Sequence, residues 1–206
     1  SYFCFFARLA KTFPHKCFLL FQKQKFNYSS GFFFNTEYSC RNNSCIIKNQ
    51  AIAGIFKSDD AQGPERYHGV VCAMRDAGLF PLDENFLWFS SFQRYQLVEL
   101  QDESMLQNFL RQQLGSCTAV VCYNDEIAFH LIRTLLRAGK RVPEDIAVVS
   151  FDNSYYSTFG PVSITSAGHD PHAMGHAAAE NLLSQIRRQP CQSVRLPWAL
   201  YARQSG

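Results

Sequence analysis

The stretch Thr118-Ala-Val-Val-Cys-Tyr-Asn-Asp-Glu-Ile-Ala128 places a short apolar run directly before two polar residues and the start of a helical pattern. The apolar run predicts a buried strand that is covered on both faces. Asn124 and Asp125 are residue types that commonly cap helices, and the helical spacing that follows them ends at Gly139. The stretch therefore predicts one strand–helix unit of a layered α/β fold.

The same alternation of strand and helix recurs on both sides of this unit. Apolar runs predict further strands at 51–56, 86–89 and 145–151, and helical spacing predicts helices at 64–78 and 102–113. Strands that alternate with helices at this spacing are joined by right-handed crossovers, and the resulting sheet is parallel. The predicted fold class is therefore α/β, with a parallel sheet flanked by helices.

Polar residues follow three of the predicted strands at the point where each strand ends. The three clusters are Lys57-Ser-Asp-Asp60, Tyr123-Asn-Asp125 and Asp152-Asn-Ser154. Open α/β sheets bind ligands at the carboxyl ends of their strands, and these clusters would meet at that edge. The sequence therefore predicts a ligand site there.

The first quarter of the chain differs in composition from the rest. Residues 1–50 hold seven basic residues and one acidic residue, a net charge of +6, whereas residues 51–206 hold 13 basic and 16 acidic residues, a net charge of −3. Arg8, Lys11 and His15 interrupt the apolar runs, which disfavours a signal peptide or a membrane-spanning helix, and no helix-turn-helix pattern occurs. We expect residues 1–50 to be a frameshifted or mis-started stretch rather than a native element of this fold.

Three segments resemble the effector domain of the lactose-repressor/galactose-repressor family. They are Cys122-Tyr-Asn-Asp-Glu-Ile-Ala128, Arg141-Val-Pro-Glu-Asp-Ile-Ala-Val-Val-Ser-Phe-Asp152, and the end of the chain from Leu196 through Arg203 to Ser205. The first two form an ordered pair of motifs, which is a specific signal. A narrower resemblance, to the arabinose repressors, lies in Gly54-Ile-Phe-Lys-Ser-Asp-Asp-Ala-Gln-Gly63 together with Arg66 and Gly69.

The resemblance covers about residues 51–205 and implies a two-lobed, periplasmic-binding-protein-like fold that holds sugar between its lobes. The matching part is the C-terminal lobe with a returning last strand at 194–201. A helix at about 169–188 packs, in the family, on the N-terminal lobe. We expect that lobe and the DNA reader to be absent from this sequence, and the apolar stripe of the helix to be exposed.

The resemblance implies three principal ligand contacts. Arg66 matches a ligand-binding arginine of the family, and its guanidinium offers a fixed fork of donors to neighbouring hydroxyls; the alternative is a solvated arginine near a helix start. Asn124 can donate to and accept from a sugar hydroxyl, or it can cap the following helix, or both if Asp125 supplies the cap. Asp152 suits two adjacent hydroxyls, or it forms a turn.

Three further residues are weaker candidates for the ligand site. His169 stands where the family places another polar residue on the ligand side, although a hinge would also explain it. Lys57 and Asp59 belong to the arabinose-repressor resemblance, and they either contact sugar or shape the loop after the first strand. These alternatives remain open at the level of the sequence.

The resemblance implies a sugar-sensing portion of a bacterial repressor, in which L-arabinose or a similar monosaccharide controls DNA binding allosterically. It implies a homodimer, with DNA contacted only through the reader, and neither an enzyme nor a membrane protein. We predict no cofactor, and no metal site at His169, His172 and His176, because no acid or cysteine completes one. The scattered cysteines favour free thiols in a reducing cytoplasm.

Three other functions are weaker. A secreted sugar-binding protein of a transport system shares the fold but needs an export signal, which we do not find. A non-functional remnant with an out-of-frame start would explain residues 1–50. A small enzyme would need a nucleophile, a base and a group to orient it, and no such set occurs.

Overall fold

The computed structural model of the chain describes residues 51–206, so the prediction about residues 1–50 lies outside the described residues. The strands of this range are β1 (Ile52–Lys57), β2 (Phe86–Phe89), β3 (Ala119–Cys122), β4 (Ala147–Phe151), β5 (Thr165–Gly168) and β6 (Ala199–Tyr201). The helices are α1 (Gln62–Asp76), α2 (Ser91–Val98), α3 (Ser104–Gln112), α4 (Asp125–Arg137) and α5 (Pro171–Ile186). Short 3₁₀ turns lie at Asp83–Asn85 and Tyr155–Ser157.

The six strands form one sheet in the order β2-β1-β3-β4-β5-β6. All neighbouring pairs from β2 to β5 are parallel, and β6 runs antiparallel to β5. The carboxyl ends of β1, β3 and β4 therefore meet at one edge. The prediction of an α/β fold with a parallel sheet flanked by helices is confirmed.

Two apolar layers cover the sheet, one on each face. Alternate strand residues point to opposite faces, so Ile55 of β1 lies in the layer with α3 and α4, and Phe56 lies in the layer with α1. The fully buried side chains of Phe109 and Leu131 fill the first layer, and Val70 fills the second. Because both faces of the sheet are buried, the strand sequences are continuous runs of apolar residues.

The structure adds one helix that the strand–helix pattern did not predict. Helix α2 starts directly after β2, and Ser90 caps it: the Ser90 hydroxyl accepts from the backbone N–H of Gln93, while the Gln93 side chain accepts from the Ser90 N–H at 2.9 Å. This reciprocal pair is a capping box, so the Ser-x-x-Gln spacing is the signal that would have found the helix.

The C-terminal elements also differ at their ends. Strand β6 spans three residues rather than the predicted 194–201. Helix α5 begins at Pro171, where proline is favoured because its missing N–H would have no partner in the first turn. Within the described chain, no helix has the length and apolar character needed to cross a membrane.

One face of α5 is apolar and exposed, as the sequence predicts. Met174, Leu182 and Ile186 lie on this face, and each is about half exposed or more. No side chain of α5 is fully buried against the rest of the described chain. The helix therefore projects from the sheet with a surface suited to a further packing partner.

Candidate functional site

Arg66 lies at the centre of the carboxyl edge of the sheet. Helix α1 follows β1 closely because Gly63 has no side chain: a Cβ at this position would lie 1.8 Å from the carbonyl oxygen of Lys57. This close approach directs Arg66, which is only 7% exposed, across the end of the sheet. Its guanidinium donates to the Tyr123 carbonyl oxygen and to Asp152 Oδ1, the latter at 2.6 Å.

Asp152 reaches this arginine from an unusual backbone conformation. Its φ is +95°, and that of Asn153 is +49°, in the left-handed region that L residues seldom adopt. The Asp152 N–H donates to the Ala167 carbonyl oxygen at 2.6 Å, which fixes the loop to β5. The Asp152 side chain is 41% exposed, so its carboxylate pairs with Arg66 and also faces solvent.

Asn124 caps α4. Its Oδ1 accepts from the backbone N–H of Ile127 at 3.0 Å, while Asp125 is buried and takes no part in the cap. The idea that Asp125 frees Asn124 by capping the helix is therefore wrong. The cap uses only the oxygen of the Asn124 amide, so its NH₂ group retains two donors for a ligand beside Arg66 and Asp152.

Substitutions at Asn124 separate these two roles. Asp caps helices as well as Asn, so we expect Asn124→Asp to keep the free energy of unfolding. A ligand that accepts from the amide should bind about five- to tenfold more weakly, since the NH₂ donors are lost. Asn124→Ala should lose both the binding and about 1 kcal/mol of stability. Urea unfolding and a titration of each variant with small polyhydroxylated ligands measure the two effects. Unchanged binding in Asn124→Asp would show that the amide serves only as a cap.

Lys57 and Asp59 make charged and hydrogen-bonded contacts in the loop after β1. The Lys57 Nζ lies 3.5 Å from Asp59 Oδ1 and 3.4 Å from Asp60 Oδ2. Asp59 also accepts from the Ser91 N–H at 2.7 Å, and this backbone hydrogen bond lowers the pKa of the Asp59 carboxyl. Asp59 thus anchors the start of α2 to the loop.

Asp60 and Tyr123 are members of the polar clusters that sequence reasoning did not select as ligand contacts. The Tyr123 hydroxyl donates to Asp60 Oδ2 at 2.5 Å, and burial, together with this carboxylate, raises the pKa of Tyr123. Burial opposes ionisation of Asp60, but hydrogen bonds from Tyr123, the Gly63 N–H and Lys57 outweigh it and lower the Asp60 pKa. Both groups therefore stay in their ordinary charge states at neutral pH.

His169 directly follows the last residue of β5. Its Nδ1 is 3.0 Å from the Pro197 carbonyl oxygen, and its ring packs on Trp198 with 4.1 Å between ring centroids. Trp198 in turn packs on Phe151, the last residue of β4. His169 and Trp198 thus form an aromatic border to the site. No sequence pattern predicts Trp198 at this position, because its location depends on the antiparallel pairing of β6 with β5.

The electrostatics of the site favour a neutral ligand. Two cations at the edge are paired with carboxylates: Arg66 pairs with Asp152, and Lys57 pairs with two aspartates. An added anion would face these carboxylates at short range, whereas hydroxyl groups can donate to carboxylates and accept from cations. In residues 51–206 no three His, Cys, Asp or Glu side chains group as metal ligands would.

A family model described as a periplasmic binding protein-like domain matches residues 48–206. The arabinose metabolism transcriptional repressor of Halalkalibacterium halodurans is 30% identical over 143 residues, which make up 69% of this chain and 37% of the repressor. The HTH-type transcriptional repressor PurR of Glaesserella parasuis serovar 5 is 33% identical over 146 residues, 69% of this chain and 40% of that repressor. The chain thus spans about two fifths of the length of these relatives.

A solved structure of the transcriptional regulator CelR in complex with cellobiose has a similar fold. It is 26% identical in sequence and superposes with a TM-score of 0.64, covering 77% of this chain and 47% of the CelR chain. These relatives are transcriptional regulators, which agrees with the prediction that the chain is not an enzyme.

Proposed function

The chain belongs to the family of periplasmic-binding-protein-like domains found in LacI-type transcriptional regulators, and from this premise we propose that residues 51–206 form the C-terminal lobe of a sugar-sensing domain. The observation that carries the proposal is the Arg66–Asp152 pair at the carboxyl edge of the sheet, where Arg66 also contacts the Tyr123 carbonyl oxygen directly before Asn124. Donors and acceptors alternate there, as recognition of a polyhydroxylated ligand requires.

The ligand that we propose is a neutral monosaccharide, with L-arabinose as the first candidate. The paired charges of the edge support a neutral compound over a sugar phosphate. The similarity to an arabinose metabolism repressor supports L-arabinose in particular. Arg66 would donate to one hydroxyl, Asp152 would accept from another, and Asn124 Nδ2 would donate to a third.

In this proposal sugar binding controls DNA binding by a repressor that works as a cytoplasmic homodimer. Sugar would draw a second lobe onto the carboxyl edge, and the exposed apolar face of α5 is a surface on which that lobe can pack. Movement of the lobes would change the spacing of the paired DNA readers. Allosteric coupling of this kind typically amounts to about 1–3 kcal/mol.

A ligand panel tests the class of compound. Saturation-transfer NMR detects weak binding, so the chain can be screened against L-arabinose, D-glucose, cellobiose and glucose 6-phosphate. We expect saturable binding of a neutral sugar, with glucose 6-phosphate bound at least about tenfold more weakly because of the surrounding carboxylates. Equal or tighter binding of the phosphate would contradict the proposed ligand class, and binding of none of the sugars would contradict the sensing function.

A further inference from the structure

Asp125 is a buried carboxylate next to the loop that carries Asp152. Its side chain has no exposed surface, so it cannot contact a ligand in the cleft. It lies in the first turn of α4, but Asn124 already caps that helix. A buried carboxylate is unfavourable unless hydrogen bonds satisfy its oxygens, so its partners indicate what it holds in place.

The two oxygens of Asp125 join three elements of the sheet edge. Oδ1 accepts from the hydroxyls of Ser150 on β4 and Ser166 on β5, the latter at 2.6 Å. Oδ2 accepts from the backbone N–H of Ser154 at 2.5 Å. A single carboxylate thus links α4, β4 and β5 to the loop that follows β4.

The loop needs such support because of its conformation. Asp152 and Asn153 both have positive φ, which is less favourable in residues other than glycine and is stabilised by surrounding contacts. The Asn153 N–H donates to the Ser166 hydroxyl at 2.9 Å, and that hydroxyl donates onward to Asp125. Asp125 therefore anchors Ser154 directly and Asn153 through Ser166.

We propose that Asp125 is a positioning residue for the sugar site. It holds Asp152 and Asn153 at positive φ and fixes Ser154 after them, which directs the Asp152 carboxylate at Arg66 and the cleft. The ligand-binding part of this inference rests on the proposed function, whereas the ordering of the loop does not. Burial raises the pKa of Asp125, and the hydrogen bonds from Ser150, Ser166 and Ser154 oppose this rise only in part.

The test compares substitutions in the full chain. Asp125→Ala removes the anchor, and Ser166→Ala removes only the link to Asn153. Ser166→Ala therefore still tests the positioning role if Asp125→Ala fails to fold. Glu126→Ala is the matched control: Glu126 is the adjacent buried carboxylate, and its hydrogen bonds of 2.6 and 2.7 Å go to Arg94 rather than to residues 152–154. Circular dichroism melting follows the stability of each protein.

Two readouts separate positioning from general stability. We expect Asp125→Ala to raise the Kd for L-arabinose at least about tenfold and Ser166→Ala to raise it about three- to tenfold, while Glu126→Ala leaves it unchanged. Amide hydrogen exchange at Asn153 and Ser154 should quicken in the first two variants only.

The outcomes distinguish this inference from the proposed function. Wild-type exchange at Asn153 and Ser154 in Asp125→Ala and Ser166→Ala would overturn the positioning role, as would an unchanged Kd in both. Failure of the wild-type chain to bind any sugar would instead overturn the proposed function, and the exchange comparison would still decide whether Asp125 orders the loop.

Discussion

Gly63→Ala should lower the free energy of unfolding by about 3 kcal/mol or more. Substitutions that overpack a tight contact cost the most when no flexible side chain can move aside. The new Cβ would lie 1.8 Å from the Lys57 carbonyl oxygen and 2.8 Å from its carbonyl carbon. Both are backbone atoms, so no side-chain rotation relieves the clash. Helix α1 would have to move away from β1 and carry Arg66 out of the cleft. Urea unfolding measures the loss of stability, and the sugar titration measures the accompanying loss of binding.

Gly175→Ala is the matched control for this substitution. Gly175 also lies in a helix, α5, but a Cβ there would meet nothing within 4 Å. Alanine lowers the backbone entropy of the unfolded chain, so this variant should gain about 0.5–1 kcal/mol of stability. A Gly63→Ala protein as stable as the wild type would show that α1 does not approach β1 as the structure has it.

Arg66→Met should have the largest effect on sugar affinity. Arg66 is the buried donor of the site, and hydrogen bonds that involve a charged group contribute about 1.5–3 kcal/mol, so the Kd should rise about 10- to 150-fold. Arg66→Lys keeps the charge but not the planar fork that joins Tyr123 and Asp152, so it should bind nearly as weakly. Calorimetric or NMR titration with L-arabinose measures both.

Arg75→Met controls for the loss of an arginine from the same helix. Arg75 lies in the last turn of α1 and is exposed, so its removal should leave the affinity within about twofold of wild type. Wild-type affinity in Arg66→Met would mean that sugar does not bind at the Arg66–Asp152 pair.

The convergence of the three polar clusters could be predicted because it depends on backbone topology alone. Apolar runs predict the strands, and the helices between them imply that the strands are parallel. The polar residues that follow the strands therefore lie at one edge of the sheet. Arg66 and Asp152, 86 residues apart in the chain, meet there as expected. Helix capping also depends on local chemistry, and Asn124 caps α4, which is one of the two roles that its residue type suggests.

Side-chain pairing within the edge could not be predicted in the same way. Asp60 and Tyr123 form a hydrogen bond because of the register of β1 against β3 and the side-chain conformations at the strand ends. No sequence pattern predicts these two features. Trp198 reaches His169 only because β6 runs antiparallel to β5, whereas the other strand pairs are parallel. In the sequence Asp125 is typical of the start of a helix. Its burial and its hydrogen bond from Ser154 show that it also contacts the loop after β4.

The central claim is that sugar binds at the carboxyl edge between Arg66, Asn124 and Asp152. Titration of the isotopically labelled chain with L-arabinose, followed by two-dimensional NMR, tests it most directly because each backbone amide reports separately. The account predicts saturable shifts concentrated at the Asn124, Asp152 and Asn153 amides and at the Arg66 Nε–H. Saturable shifts that cluster elsewhere, or an unchanged spectrum with L-arabinose and with the other sugars of the panel, would contradict it.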